Sequence, residues 1–459
     1  MSLSSVRLTY IDSGVGLVMR AVSVGIFVVV SAAFGALWWS AGGPGWYGIA
    51  VTALLSAKLL LSWLHRPKTV ETAGDQRRVD ALTVGVAIPM YNEDPQMLRA
   101  CLSSLLAQTR PVQTVVVVDD GSRTGAAIEE ARSWIPSFAE RGIDLQVAAF
   151  GVNRGKREGL MECLDRQPAA DLLLCVDSDT VLDERAVEKA IIPFARERVK
   201  VVTGLVLAIN YRRNLLTRLT DLRYANAFLF ERGAYSTLRS VLCACGSLAV
   251  YRAEVMRAYR EDFLTQTFLG VPAVFGDDRR LTNYGLLEGD ALLQPDAIAY
   301  TAVPERFGHF ARQQIRWNKS FFRESVWVLR SISARKPAFW LTAVELGTWV
   351  VFSLAIMHAV VIAPVLNGST PLVGYLLCIA LLAYARSIRY LDMPGTARSV
   401  GDRVGGFLLA PLYGLLHVFV LIWLRLYALL TLKRNRWGTR GGVEVALPVE
   451  HQVGGVDVR

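Results

Sequence analysis

Apolar runs of two lengths divide this chain. Residues 20–40 and 46–64 are each long and apolar enough to cross a bilayer, and an uncharged Ala-Gly-Gly-Pro-Gly stretch separates them. From about Leu82 the runs shorten, become β-branched and alternate with helical segments: 83–88, 114–118, 145–149, 172–176 and 200–206. That alternation predicts a mostly parallel α/β sheet of the nucleotide-binding kind, which 246–251 and 297–302 extend. Asp94-Pro95 supplies an N-cap and a first-turn proline for an amphipathic helix running to about Gln108.

Residues 304–333 interleave Phe307, Phe310, Trp317, Phe321, Phe322 and Trp327 with Arg306, Arg312, Arg316, Lys319, Arg323 and Arg330. Aromatics and arginines at helical spacing predict helices lying on a membrane surface. Long apolar runs then return at 339–365, 372–385 and 407–432. Glu345, inside the first of these, is expected to face a bundle interior or a polar conduit rather than lipid. The run 407–432 contains Pro411, Gly414 and Arg425 and has positive charge at both ends, so it reads as broken, re-entrant or partly interfacial.

Composition sharpens this picture. Of 459 residues 53% are hydrophobic, and mean hydropathy is +0.33, which fits membrane spans beside a soluble domain. The net charge of +10 lies largely in arginines beside apolar segments, among them Arg20, Arg66, Arg386 and Arg389. This placement suits anionic headgroups and a positive-inside bias, with cytoplasmic flanks to the membrane spans, and it argues against a nucleic-acid partner. A cleaved signal peptide fits the first run poorly, because no small-residue cleavage site precedes the second. The six cysteines have no framework spacing and read as free thiols. No glycine-rich Gly-x-Gly-x-x-Gly turn follows the first strand and no Walker-type Gly-Lys-Ser/Thr occurs, which argues against hydride transfer and ATP hydrolysis.

Candidate chemistry collects at strand ends. Asp171-Leu-Leu-Leu-Cys-Val-Asp-Ser-Asp179 reads as a buried strand closing on two carboxylates, Asp177 and Asp179, which suit a divalent cation that is itself holding a diphosphate. Pro89-Met-Tyr-Asn-Glu93 and Asp119-Asp-Gly-Ser122 follow two other strands, and Asn153-Arg-Gly-Lys-Arg157 opens a helix. Gly276-Asp-Asp278-Arg and Gln313-Gln-Ile-Arg-Trp317 follow later.

These segments together resemble the processive family-2 inverting glycosyltransferases with a GT-A catalytic domain, most of all the bacterial class I hyaluronan synthases, with chitin oligosaccharide synthases next. The resemblance covers roughly 84–330 plus Trp437-Gly-Thr-Arg440. It is strongest in Phe275-Gly-Asp-Asp-Arg-Arg-Leu-Thr-Asn283 and in the segment from Gln313 to Glu324. It implies a Rossmann-like mixed sheet inserted between transmembrane helices, with amphipathic interface helices. The implied organisation is a transmembrane pair in 1–69, a cytoplasmic catalytic domain in 70–303, interface helices in 304–335, a second membrane region in 336–432 and a gating segment with tail in 433–459.

By the same resemblance, Tyr91, Glu93, Asp120, Lys156 and Arg157 surround the sugar nucleotide, Asp177 contacts it, and Asp179 ligates Mn²⁺ or Mg²⁺ at the diphosphate. Asp278 is the general base, with Asp277 structural or orienting beside it. Gln313, Arg316 and Trp317 line the acceptor end, and Trp437 and Arg440 close over bound nucleotide. The implied activity joins UDP-GlcNAc and UDP-GlcA into hyaluronan and moves the growing polysaccharide through a lipid-embedded path. A chitin-type GlcNAc polymer synthase, or a silent membrane protein that only binds nucleotide-sugar or polymer, are the alternatives. Two departures bear on the donor pair: Gly246-Ser247 stands where the family usually has Gly-Pro, and Pro89-Met-Tyr-Asn-Glu93 has the general family-2 form.

Overall fold

The computed structural model describes residues 15–40, 46–358, 362, 365–366, 372–393 and 398–434. Its centre is an eight-stranded mixed sheet in the order β3-β2-β1-β4-β7-β6-β10-β5. The strands are β1 (Val84–Met90), β2 (Thr114–Asp119), β3 (Asp144–Ala149), β4 (Leu172–Cys175), β5 (Thr180–Leu182), β6 (Val199–Ala208), β7 (Ala249–Arg252) and β10 (Asp290–Thr301). A separate hairpin pairs β8 (Thr267–Phe268) with β9 (Val271–Pro272). Every residue of β1 and β4 is buried, as expected of strands covered on both faces by helices.

Two antiparallel insertions shape the site. β7 runs antiparallel to both β4 and β6, so its first residue, Ala249, lies opposite Cys175 at the carboxyl end of β4. β5 runs antiparallel to β10 and sets Thr180 beside Thr301. Residues just before β7 and at the end of β10 are thereby delivered to the edge where β1, β2 and β4 finish, the usual ligand edge of an open sheet. The five expected early strands form within a residue or two of their places. β5 and the hairpin are too short to leave a periodic signal.

The helix expected after Asp94 spans Pro95–Leu106, capped by the Asp94 carboxylate. The aromatic and basic stretch after Pro304 forms one continuous helix, Phe307–Ser331, rather than several surface helices. Its polar residues Gln314, Asn318, Ser320, Arg323 and Glu324 are buried, because the polar face packs on the catalytic domain. The helix is therefore enclosed on more sides than an interfacial helix.

Among the described residues, Val18–Leu37, Pro337–Leu354 and Ala410–Leu430 are long and apolar enough to cross a membrane, with the shorter Thr52–Leu64 beside them. The expected break inside 407–432 falls earlier, at Leu409, after the Val400–Leu408 helix. Pro411 sits in the first turn of the next helix, where its missing N–H costs nothing. Gly414 is there for close packing: a Cβ would stand 2.9 Å from Ile379 Cγ2 and 3.1 Å from Ala383 Cβ. Phe230 of the catalytic chain packs with Met19, Leu59, Ile388, Leu391 and Phe407, so the soluble and apolar parts share one side-chain cluster.

Candidate active site

The carboxyl ends of β1 and β4, the start of β7, the Asp277–Glu288 helix and the Phe307–Ser331 helix enclose a cavity of about 580 Å³. Tyr91, Glu93, Lys156, Asp177, Asp179, Asp277, Asp278, Gln313, Arg316 and Trp317 all line it. Residues more than 200 positions apart in sequence thus reach a common space, and Asp179 and Asp278 share one cleft.

Each carboxylate is held differently. Asp177 is clasped by two donors: Lys156 Nζ reaches Oδ1 at 2.6 Å and the Ser247 hydroxyl reaches Oδ2 at 2.9 Å. Ser247 can do so because β7 starts beside the end of β4. Asp179 Oδ1 accepts from the Thr301 hydroxyl at 3.1 Å, a consequence of the β5–β10 pairing. Glu93 accepts from the Ser178 hydroxyl at 2.6 Å, tying the loop after β1 to the acidic turn after β4.

Asp277 and Asp278 open their helix after Gly276, whose φ of +95° is a left-handed conformation. A Cβ at Gly276 would also stand 2.2 Å from Ser320 Oγ, so only glycine lets the two helices approach here. Burial, and then the neighbouring Asp277 charge, push the Asp278 carboxyl above its ordinary range, against Lys156 and Arg279. For Lys156, burial alone would lower the pKa, but Asp177 and Asp277, the latter 3.6 Å away, outweigh it and hold the ammonium above the ordinary lysine value. The Cys243 thiol, 3.9 Å from Asp278 Oδ2, is pushed up to about 12 by burial and then by that carboxylate.

Two expected residues do not face the cavity. Arg157 turns to the Arg260–Thr265 helix, donates to Phe263 O at 2.7 Å and stacks 4.7 Å from the Phe263 ring centre. Asp120 receives the backbone N–H groups of Arg154 at 2.6 Å and Gly155 at 2.9 Å, and shapes the loop that presents Lys156. Trp437 and Arg440 lie outside the described residues. The sequence reading also missed lining groups: Ser247, Thr301, Arg223, Arg279, Glu231 and Arg386. Arg279 stands inside the Phe275–Asn283 motif, Thr301 ends β10, and Ser247 was marked only by its departure from Gly-Pro, whereas Arg223, Glu231 and Arg386 sit in no motif.

Among the described residues, no group of three or more His, Cys, Asp or Glu side chains is arranged to hold a metal. Hard oxygen donors at Asp179, in a cleft open to substrate, fit a cation that takes most of its ligands from a diphosphate.

The sequence profile of glycosyl transferase family 2 matches residues 85–260. A hyaluronan synthase of Streptococcus pyogenes is 37% identical over 401 residues, covering 87% of this chain and 92% of its own. An N-acetylglucosaminyltransferase of Azorhizobium caulinodans is 33% identical over 398 residues, covering 85% and 96%. Among solved structures, a mannosyltransferase from Pyrobaculum calidifontis in complex with GDP-Man and Mn²⁺ superposes with a TM-score of 0.52 at 20% identity, covering 82% of this chain and 98% of that one, a likeness of fold. With its GT-A fold and its sequence likeness to hyaluronan synthases over most of its length, the chain is a glycosyltransferase and belongs to glycosyl transferase family 2.

Proposed function

We propose that this enzyme polymerises UDP-GlcNAc and UDP-GlcA into hyaluronan at a cytosolic catalytic domain and passes the polymer through its own helices in the plasma membrane. The observation that carries this reading is the continuity of the cavity. From the carboxylates it runs on to Leu54, Thr348, Phe352, Ile379, Leu382 and Val418, all on the apolar helices. Glu345 faces this space from the Pro337–Met357 helix, accepting a hydrogen bond from Tyr235, whose hydroxyl in turn accepts from Lys58 Nζ at 2.7 Å. The wall beyond the carboxylates carries Lys58, Arg223, Arg232, Arg279, Arg386 and Arg425 against Glu231 and Glu345. A basic excess suits a polymer with a carboxylate on every second sugar, whereas a neutral GlcNAc polymer gains nothing from it.

In this reading Tyr91, Glu93 and Asp177 border the sugar nucleotide, with Lys156 and Ser247 fixing both oxygens of Asp177. Asp179 holds Mn²⁺ or Mg²⁺, which when bound supplies positive charge against the diphosphate. Gln313 and Arg316 flank the acceptor end, where the Trp317 indole gives a sugar ring a flat apolar face. Asp278 takes the proton of the acceptor hydroxyl as that oxygen bonds to the anomeric carbon. The bond from that carbon to UDP breaks on the opposite face, which inverts the configuration.

The test supplies membranes with each donor singly and both together, and measures UDP release and polymer. Polymer that requires both donors is expected. Polymer from UDP-GlcNAc alone would favour the chitin-type reading, and donor binding without UDP release would favour the silent one.

The raised pKa of Asp278 adds a pH prediction. A general base works deprotonated, so its contribution is present above its pKa and is lost as pH falls through it. Lys156 opposes the raised pKa of Asp278. Lys156→Met is therefore expected to move the acid limb of the kcat/KM profile to higher pH, and an unmoved limb would contradict Asp278 as the base.

A further inference from the structure

Arg223 stands apart from the other cations of the cavity wall. Arg386 is ion-paired with Glu231, and Arg232 donates to the carbonyls of Cys243 at 2.7 Å and Ala227 at 3.1 Å. Arg279 lies against the general base, and Arg425 donates to the Asn318 side chain at 2.9 Å. Arg223, half-buried on the Leu215–Ala225 helix, has no carboxylate in ion-pair range among the described residues. Its guanidinium lies 5.4 Å from the centre of the Trp317 indole. The same helix sets Tyr224 at 6.1 Å from that indole, so Arg223 and Trp317 are positioned together. Trp317 remains 39% exposed, leaving surface for a sugar.

We infer that Arg223 is a specificity-determining residue that pairs with the carboxylate of a hexuronic acid whose ring rests on Trp317. The inference rests on the proposed hyaluronan product and deepens it. The C6 carboxylate of a stacked pyranose projects past the edge of the ring, toward groups that border the indole. A guanidinium there offers two parallel N–H donors matched to the two oxygens. GlcNAc carries a neutral hydroxymethyl at the same position and cannot form that pair. Arg223 therefore favours an acceptor that ends in GlcA, the end onto which GlcNAc is transferred.

The test uses the full chain in membranes and two half-reactions. In the first, UDP-GlcNAc is the donor and a hyaluronan oligosaccharide ending in GlcA is the acceptor. In the second, UDP-GlcA is the donor and the acceptor ends in GlcNAc. Arg223→Gln is expected to raise the ratio of the first acceptor KM to the second by about tenfold, the loss expected for one charge-assisted pair. Equal changes in both KM values, or none, would mean that Arg223 only packs on Trp317 and would overturn the inference.

UDP affinity reports whether the variant is folded. Should Arg223→Gln lose it, Arg223→Lys is read in the same way: it keeps the charge without the fork, a smaller rise of the same ratio is expected, and an unchanged ratio overturns the inference. A wild-type chain that ignores UDP-GlcA would remove the product reading and this inference together. A wild-type chain that runs both half-reactions, with an unmoved ratio in the variant, removes this inference alone.

Discussion

Asp278→Asn is expected to lower the rate of polymer synthesis by about 10²- to 10⁴-fold, the usual contribution of a positioned general base, while UDP affinity stays within a few-fold of wild type. The substitution preserves shape: the amide oxygen can still accept the Arg279 backbone N–H that now meets Oδ1 at 3.2 Å. Lys156 is not stranded by it, because it keeps Asp177 at 2.6 Å and Asp277 at 3.6 Å. What disappears is a site able to take a proton from the acceptor hydroxyl. Asp179→Asn should differ in kind, weakening metal-dependent UDP binding together with turnover. Rates of UDP release and polymer formation, measured beside UDP affinity, separate the two. An Asp278→Asn chain that polymerises at the wild-type rate would remove the carboxylate from the chemistry.

The contrast between residues that converged and those that did not has a physical source. Asp177, Asp179, Tyr91 and Glu93 follow buried strands of a sheet whose carboxyl edge is dictated by topology, so their destination could be read from the apolar runs before them. Lys156 and Arg157 are neighbours on one helix, where adjacent side chains point about 100° apart, and both cannot face the same cavity. Lys156 does, and Arg157 goes under Phe263. Asp120 likewise turns to the backbone of a loop 34 residues later in the chain, a contact with no local sequence signature. Arg223, Glu231 and Arg386 were illegible for a related reason: they occupy helices without a motif, and only the approach of separate elements makes them lining groups. In the 407–432 run, Pro411 and Gly414 read as helix breakers because the chain alone does not reveal which turn is the first or which helix Gly414 packs against.

Glu324→Ala should be among the most destabilising single substitutions in the catalytic domain. The Glu324 side chain is 2% exposed and meets Arg280 Nε, itself on a 3% exposed side chain, at 2.9 Å. It also accepts from Gln266 Nε2 at 2.8 Å and from Asn283 Nδ2 at 3.2 Å. Arg157 and Arg323 are buried close by, and burial pushes the Arg323 guanidinium down to about 10 although Glu324 opposes the shift. The carboxylate thus serves several cations that have left water, and deleting it strands them at a cost of about 3–5 kcal/mol. Glu324→Gln should cost less, because an amide oxygen in the place of Oε2 still accepts from Asn283 and faces Arg280, while the new NH2 can donate to the Gln266 amide oxygen once that amide turns over. Replacing Arg280 and Glu324 together by leucine should recover part of the loss, since a buried ion pair is worth little against well-packed apolar groups. Unfolding midpoints of the purified chain give this order directly. Glu324 also joins the helix carrying Gln313 and Trp317 to the helix carrying Asp278, so turnover per folded molecule should fall with the midpoint. A Glu324→Ala chain with wild-type stability would mean that the surrounding arginines are compensated elsewhere, and would detach the acceptor helix from the base helix as a single rigid unit.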